Sequence, residues 1–242
     1  MISVITPSVR KGGLDIVSLA LKRQTIDEYE WLIGSPFDPQ IVEAEWVKDD
    51  FEGGFWSLNR VYNKLITYAK SDLIVSWQDY TFADPDCLEK FLYHFRDEPK
   101  TLVSAVGNKY TDVYPTLGSV IWKDPRMRDD QGSYYPVFFN DVEGNLASVP
   151  KQAFYDVGGF CEDFDFGFYG MDFYGVIDRL NEFGGYDFKI DQTIKSYSLV
   201  HGRRKDWDKF NGLTDQKYEM FKRELKDKGK WVIMNYLSKN GV

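Results

Sequence analysis

Short apolar runs alternate with helical patterns over the first 106 residues, and this alternation constrains the fold more than any other feature of the sequence. The runs have the length of buried strands and stand at 2–6, 29–34, 72–77 and 101–106, with a weaker one at 42–47. Between them, apolar residues recur at helical spacing in 15–23, 55–70 and 87–95. Because parallel strands need a crossover connection, this order predicts an α/β fold with a mostly parallel central sheet flanked by helices.

The pattern weakens between residues 107 and 148, where short β-like pieces alternate with polar turns. We expect this region to be an insertion that lies over one end of the sheet. Regular patterns then return, and they predict helices at 151–157, 171–183 and 214–226 and strands at 186–190 and 196–200.

Composition limits the classes of function. The formal net charge of −8 and the pI of about 4.9 argue against extensive nucleic-acid binding, which needs a basic face. The two cysteines, Cys87 and Cys161, are too far apart for a disulfide framework or a metal motif, which favours a reducing, cytoplasmic setting. No apolar run approaches the ~20 residues of a transmembrane helix, and the N-terminus does not have the pattern of a signal peptide.

Polar residues follow several of the predicted strands, and ligands of open α/β sheets bind beyond the carboxyl ends of strands. Asp79 comes directly after a buried strand, where it could hold a divalent cation or be a solvated turn residue. His201 could bind a metal or a diphosphate, or be merely structural. Arg203 and Arg204 could neutralise a phosphate, or form an exposed basic pair.

The stretch 149–180 is a second candidate site. The double glycine Gly158-Gly159 ends a helical run, and an acidic, aromatic loop follows it. Asp172 then lies in the first turn of the next predicted helix. Such a carboxylate could be a catalytic base facing a sugar, or an N-terminal helix acid beside an aromatic core. Asp163 and Asp165, in the preceding loop, are the fallback candidates.

Four segments in the same order resemble the family-2 glycosyltransferases of the GT-A fold, over roughly residues 2–202. Residues 2–34 resemble the first strand, helix and second strand of that family, with Ser18-Leu19 and Gln24-Thr25 at the expected places. The segment SLNRVYNKLITYAKSDLIVSWQDY resembles the helix and strand that lead to its Asp-x-Asp motif. VPKQAFYDVGGFCEDFDF and GMDFYGVIDRL resemble the segment before the catalytic loop and the Gly-x-Glu-Asp start of the next helix.

The sequence departs from the family pattern at three motifs. The aspartate that normally ends the second strand is missing, and Asp38 could substitute for it from the loop. The Asp-x-Asp motif reads Gln78-Asp79-Tyr80. The Glu-Asp pair reads Asp172-Phe173, so the family's usual base position is a phenylalanine and Asp172 occupies the neighbouring place.

The resemblance implies a nucleotide-diphosphate sugar donor, a divalent cation (Mn²⁺ or Mg²⁺), a carbohydrate or other hydroxyl acceptor, and inversion at the anomeric carbon. It implies that Asp172 is the catalytic base and that Asp79 and His201 hold the metal. The residues expected to bind the donor are Pro7, Ser8, Asp38, Asn63, Gln78, Asp79 and Arg203. We expect a single domain, with a nucleotide-sugar-binding half at 1–106, an acceptor and catalytic half at 107–205 and a C-terminal helical segment at 206–242.

Two other classes of function remain open at this point. A GT-A-like binding or scaffold protein that has lost catalysis would also show degenerate motifs. A nucleotidyltransferase would carry a glycine-rich, basic loop after the first strand, and residues 7–13 resemble such a loop only weakly. A sugar transferase that acts on modified DNA is a narrower variant of the main prediction.

Overall fold

The computed structural model describes residues 1–50, 57–165, 173–200, 211–230 and 235–237, without the side chains of 11 and 211–215. The helices are Lys11–Leu21 (α1), Leu58–Tyr68 (α2), Cys87–Asp97 (α3), Lys151–Asp156 (α4), Phe173–Phe183 (α5) and Asn211–Asp227 (α6). The strands are Ile2–Pro7 (β1), Tyr29–Ser35 (β2), Glu45–Lys48 (β3), Leu73–Trp77 (β4), Thr81–Ala83 (β5), Thr101–Val106 (β6), Lys109–Tyr110 (β7), Val120–Trp122 (β8), Tyr134–Pro136 (β9), Leu146–Pro150 (β10) and Asp187–Leu199 (β11).

The strands form one central sheet in the order β3-β2-β1-β4-β10-β6-β11-β7-β8, and β5 and β9 pair with β11 beside this path. Neighbours from β3 to β4 are parallel, as are β6 and β11. β10 is inserted antiparallel between β4 and β6. The predicted α/β architecture with a mostly parallel central sheet is confirmed.

Helices cover both faces of the sheet. Successive strand residues point to opposite sides, so each central strand contributes side chains to both cores. Ile5 and Leu32 face a core built with α2, α4 and α5. Val4 and Ile33 face a second core, built with α1 and α3. Both cores consist of buried apolar side chains, so the parallel strands are buried on both faces, as the continuous apolar runs predict.

β10 is the main departure from the sequence-based prediction. Residues 107–148 were expected to lie over one end of the sheet, but Leu146–Pro150 runs through its centre, with Leu146 opposite Trp77. Such a strand gives a weak signal because it is short and ends in Pro150, and proline argues against a central strand. The strands predicted at 186–190 and 196–200 are parts of one long strand, β11, which has an irregularity after Ile190.

The C-terminal helix α6 packs on the rest of the chain through aromatic side chains. Tyr218 and Leu225 are buried in a cluster with Cys161, Phe164 and Tyr236. Tyr218 also donates a hydrogen bond to the carboxylate of Asp178 on α5, at 2.5 Å. The helix therefore packs against the start of the acidic loop, around Phe164.

Cys87 and Cys161 are both buried, and both are free thiols. Among the described helices, none combines the length and the apolar character that crossing a membrane requires.

Candidate functional site

The sheet has its topological switch point between β1 and β4. From β1 the chain continues through α1 to β2 on one side, whereas β4 pairs with the other side of β1. In open α/β sheets, ligands bind in the crevice at the carboxyl ends of the two strands at such a point. The segments that leave these two ends carry Ser8 and Arg10 after β1, and Asp79 and Tyr80 after β4. We call these four residues the switch-point cluster.

Asp79 is the centre of the switch-point cluster. Ser8 Oγ donates a hydrogen bond to Asp79 Oδ2 at 2.7 Å. Arg10 donates to both carboxylate oxygens, from Nε to Oδ2 at 3.1 Å and from Nη2 to Oδ1 at 2.5 Å. The Asp79 side chain is only 3% exposed, whereas that of Arg10 is 38% exposed. Asp79 is therefore a buried, paired carboxylate, and the alternative of a solvated turn residue is excluded.

The backbone around the cluster is shaped to bring α1 against the end of β4. A Cβ atom on Gly13 would lie 2.2 Å from the carbonyl oxygen of Asp79, so the first turn of α1 can approach only with glycine there. Ser8 Oγ accepts a hydrogen bond from the Arg10 N–H at 3.0 Å and so fixes the entry into α1. The guanidinium carbon of Arg10 lies 4.8 Å from the centre of the Tyr80 ring, in cation–π contact.

The described side chains around Asp79 do not fit a divalent cation. A hard cation needs several oxygen ligands, but both oxygens of Asp79 already bind Arg10, and a guanidinium occupies the space beside them. Within the described residues, no group of three or more Asp, Glu, His or Cys side chains could hold a metal. The second predicted metal ligand, His201, and the predicted diphosphate ligand Arg203 lie outside the described residues.

The structure brings most of the other predicted donor residues to the same edge of the sheet. Pro7 is the buried last residue of β1, and the Gln78 side chain accepts a hydrogen bond from the Tyr80 hydroxyl beside Asp79. Asp38 is exposed in the loop after β2, where it accepts a hydrogen bond from the Gln40 N–H at 2.8 Å. That these residues bind a donor stays a prediction.

Asn63 makes its contacts elsewhere, between α2 and the double-glycine segment. Its Nδ2 donates to the Phe160 carbonyl at 2.9 Å and to Glu162 at 2.8 Å, and its Oδ1 accepts from the Phe160 N–H at 2.7 Å. The residue is fully buried. These contacts make Asn63 a structural clamp on the segment before the acidic loop, and its predicted contact with a donor stays a prediction.

Asp165 anchors the start of the acidic loop to the N-terminus of α2. It accepts hydrogen bonds from the backbone N–H groups of Asn59 at 2.8 Å and Arg60 at 3.1 Å, and from Asn59 Nδ2 at 3.1 Å. Burial raises the pKa of Asp165 to about 7, although these hydrogen bonds act in the opposite direction. Asp163 is exposed and accepts from the Tyr236 hydroxyl at 2.9 Å. Asp172 lies outside the described residues.

Sequence reasoning missed two arginines that bind buried carboxylates. Arg10 lies in a polar turn that was noted, but nothing local indicates that Asp79, 69 residues away, is its partner. Arg60 was read only as part of a helix, yet it donates to the buried Asp49 from Nε at 3.2 Å and from Nη2 at 3.0 Å. One signal could have identified Arg10 as the partner of Asp79. A basic residue follows the end of one strand, and an acid follows the end of another buried strand.

A cavity of about 370 Å³ lies away from the switch-point cluster. It is lined by residues 25–28, between α1 and β2, and by the α3 residues Glu89, Tyr93 and Arg96. Residues 25–28 precede β2 and therefore lie at the amino ends of the parallel strands. Because ligands of such sheets bind at the carboxyl ends, the switch-point cluster remains the candidate site.

Comparison with known proteins identifies the fold. No protein-family model and no curated protein sequence matches the chain. The solved structure of S. aureus TarS 1-349 in complex with UDP matches with a TM-score of 0.61 and 10% identity, over 82% of this chain and 60% of that chain. The structure of GalNAc-T7 with UDP, GalNAc and Mn²⁺ matches with a TM-score of 0.62 and 11% identity, over 86% of this chain and 45% of that chain. The chain thus spans less than two thirds of either, and the likeness shows the GT-A fold.

The clamp formed by Asn63 gives a stability prediction. Asn63→Leu leaves the buried N–H and carbonyl groups of Phe160 without these partners, so we expect the free energy of unfolding to fall by about 2–4 kcal/mol. Asn181→Leu, at an exposed position of α5, is the matched control and should change it by no more than about 0.5 kcal/mol. Urea denaturation measures both, and equal effects of the two substitutions would contradict the clamp.

The raised pKa of Asp165 gives a pH prediction. The pKa is about 7 in the folded protein and roughly 3.9 in an unfolded chain, so the folded state holds the proton more tightly. The contribution of Asp165 to stability is therefore fully present below about pH 4 and is lost as the pH rises to about 7. Relative to Asp165→Asn, the wild type should lose up to about 4 kcal/mol between pH 4 and pH 8. Denaturation of both proteins across this range tests the expectation, which a constant difference would disprove.

Proposed function

We propose that this chain is a glycosyltransferase that moves a sugar from a nucleotide-diphosphate sugar to an acceptor hydroxyl, with inversion. The observation that carries the proposal is the switch-point cluster, a group of polar residues around the buried carboxylate of Asp79 at the carboxyl ends of β1 and β4 in a GT-A fold. The two matched structures contain UDP, which makes UDP the first nucleotide to test. The resemblance in sequence to family-2 enzymes supports the hexosyltransferase type.

The donor is proposed to lie along the carboxyl ends of β1, β2 and β4. Pro7, Ser8 and Asp38 would contact the nucleoside, and Gln78 and Asp79 lie where the diphosphate would pass. Arg203 and His201 are proposed to contact the diphosphate from the segment after β11. The departing nucleoside diphosphate gains negative charge in the transition state, so positive groups at this edge would stabilise it.

Asp172 is proposed as the base that deprotonates the acceptor hydroxyl, which is a poor nucleophile without one. It directly precedes α5, whose first residue, Phe173, is buried and lies 6.0 Å from Phe160 between ring centres. The other end of the loop is fixed by Asp165. Asp165 already accepts three hydrogen bonds from α2, which favours Asp172 over it as the base.

The divalent cation implied by the sequence resemblance has no donor set among the described residues, so no step of the proposed reaction passes through it. The GalNAc-T7 structure contains Mn²⁺, and this is a property of that protein. A manganese dependence of this chain would require ligands outside the described residues, such as His201.

A GT-A-like protein that binds nucleotide sugars without catalysis is the alternative. The specific observation in its favour is that the Asp-x-Asp position reads Gln78-Asp79-Tyr80 and that both oxygens of Asp79 are engaged by Arg10. Such a protein would bind a donor but would neither transfer nor hydrolyse its sugar.

Donor binding is the first test of the proposed function. In a thermal-shift screen of UDP-, GDP-, dTDP- and CDP-sugars, each with and without manganese, we expect one nucleotide, UDP first, to stabilise the protein. A ligand that binds only the folded state adds about 2.7 kcal/mol at a hundredfold excess over its Kd. ADP-ribose at the same concentration is the control for unspecific binding. The absence of a shift with every nucleotide sugar would contradict the proposed function.

Replacement of Asp172 is the second test of the proposed function. Asp172→Asn should lower the rate of sugar transfer by about 10²-fold or more, since it removes the base, while the Kd of the donor stays within about twofold. Release of nucleoside diphosphate measures the reaction, and Asp97→Asn, at an exposed carboxylate that ends α3, is the matched control. Near-normal turnover of Asp172→Asn would refute the assignment, and donor binding by the wild type without any turnover would favour the non-catalytic alternative.

A further inference from the structure

We propose that Arg10 supplies the positive charge for the donor's diphosphate, in the place where the sequence resemblance implies a metal ion. This inference rests on the proposed function, and it concerns the same edge of the sheet. It follows from what surrounds Asp79, the one acid retained at the Asp-x-Asp position.

Arg10 stands at the switch point itself. β1 ends at Pro7 and α1 begins at Lys11, so Arg10 lies in the short turn between the carboxyl end of β1 and the helix. Its guanidinium reaches across to the end of the neighbouring strand β4, where it meets Asp79. A diphosphate in the crevice between the ends of these two strands would lie beside this guanidinium.

The orientation of the guanidinium is fixed from two sides. Asp79 binds it through two parallel hydrogen bonds, from Nε and Nη2, which is the bidentate geometry that carboxylates make with arginine. Tyr80 supports its plane at 4.8 Å. Ser8, which also binds Asp79, holds the carboxylate in place. Asp79 and Tyr80 are therefore positioning residues for Arg10.

The guanidinium keeps donors for a ligand. Of its five N–H bonds, one on Nε and one on Nη2 bind Asp79, and the others remain. Nη1 makes no hydrogen bond to any described residue, and 38% of the side chain is exposed. A planar edge with free N–H groups matches two oxygens of a phosphate.

A cation at Asp79 would compete directly with Arg10. The two Asp79 oxygens already accept three hydrogen bonds, so a cation bound there would place a second positive charge beside the guanidinium at a buried acid. The motif Gln78-Asp79-Tyr80 then has a physical explanation, because an acid that holds an arginine needs no second acid beside it. Diphosphate binding should accordingly be independent of divalent metal.

Calorimetric titration of the whole chain with inorganic pyrophosphate in EDTA, and with UDP in EDTA or in manganese, tests this inference. The wild type should bind both ligands in EDTA, and manganese should change the Kd of UDP by less than about twofold. Arg10→Gln should weaken both ligands by about tenfold or more, since charge-assisted hydrogen bonds to phosphate are lost. Arg23→Gln, an exposed arginine beyond the end of α1, is the matched control and should leave both Kd values unchanged.

A second variant covers the case in which Arg10→Gln does not fold because Asp79 is left buried without a cation. The double variant Arg10→Gln/Asp79→Asn removes both charges and keeps polar groups of similar size, and it too should fail to bind pyrophosphate. Pyrophosphate binding by this variant with the wild-type Kd would overturn the inference. UDP binding that requires manganese would also overturn the inference, but it would leave the proposed function standing. The absence of pyrophosphate binding by the wild type would overturn the inference as well. Pyrophosphate binding in EDTA without binding of any nucleotide would support the anion site and contradict the nucleotide-sugar donor.

Discussion

The contact between Arg10 and Asp79 is the interaction on which the candidate site depends. Asp79 is almost completely buried at the end of β4, where an unpaired carboxylate would be strongly unfavourable. Arg10 and Ser8 satisfy it, and in doing so they tie the turn after β1 to the turn after β4. The close approach of Gly13 to the Asp79 backbone belongs to the same arrangement. One ion pair thus fixes how the turns after β1 and β4 meet at the switch point, and it sets the charge that a ligand would meet there.

Helix α2 provides the second constraint, because it connects three parts of the chain through buried polar contacts. Near its start, its backbone N–H groups bind Asp165 at the beginning of the acidic loop. Arg60 binds Asp49 beyond β3, and Asn63 clamps the backbone of Phe160. Hydrogen bonds of this kind contribute modestly to stability, but losing one partner leaves the other unsatisfied, so they select one arrangement over others. The start of the acidic loop, as far as Asp165, is therefore tied to α2.

Much of the fold could be predicted because its signals are local. The strands β1, β2, β4 and β6 are continuous apolar runs, and α2 and α3 repeat apolar residues every three or four positions, so a short window of sequence is sufficient to identify them. β10 could not be predicted in this way. Its place depends on pairing with β4 and β6, which precede it by dozens of residues, and its own residues, ending in Pro150, resemble a loop as much as a strand.

The sequence by itself determined the α/β class, the resemblance to a GT-A enzyme and the presence of Ser8 and Asp79 at strand ends, because each of these follows from residue type and spacing along the chain. The tertiary structure decided which groups these residues meet. Arg10 and Asp79 are 69 residues apart, Asn63 and Phe160 are 97 apart, and Asn59 and Asp165 are 106 apart. Local patterns carry no information about such partners. They are fixed only when the sheet order places β1 beside β4 and α2 beside the double-glycine segment, since hydrogen bonds and ion pairs act over a few ångströms.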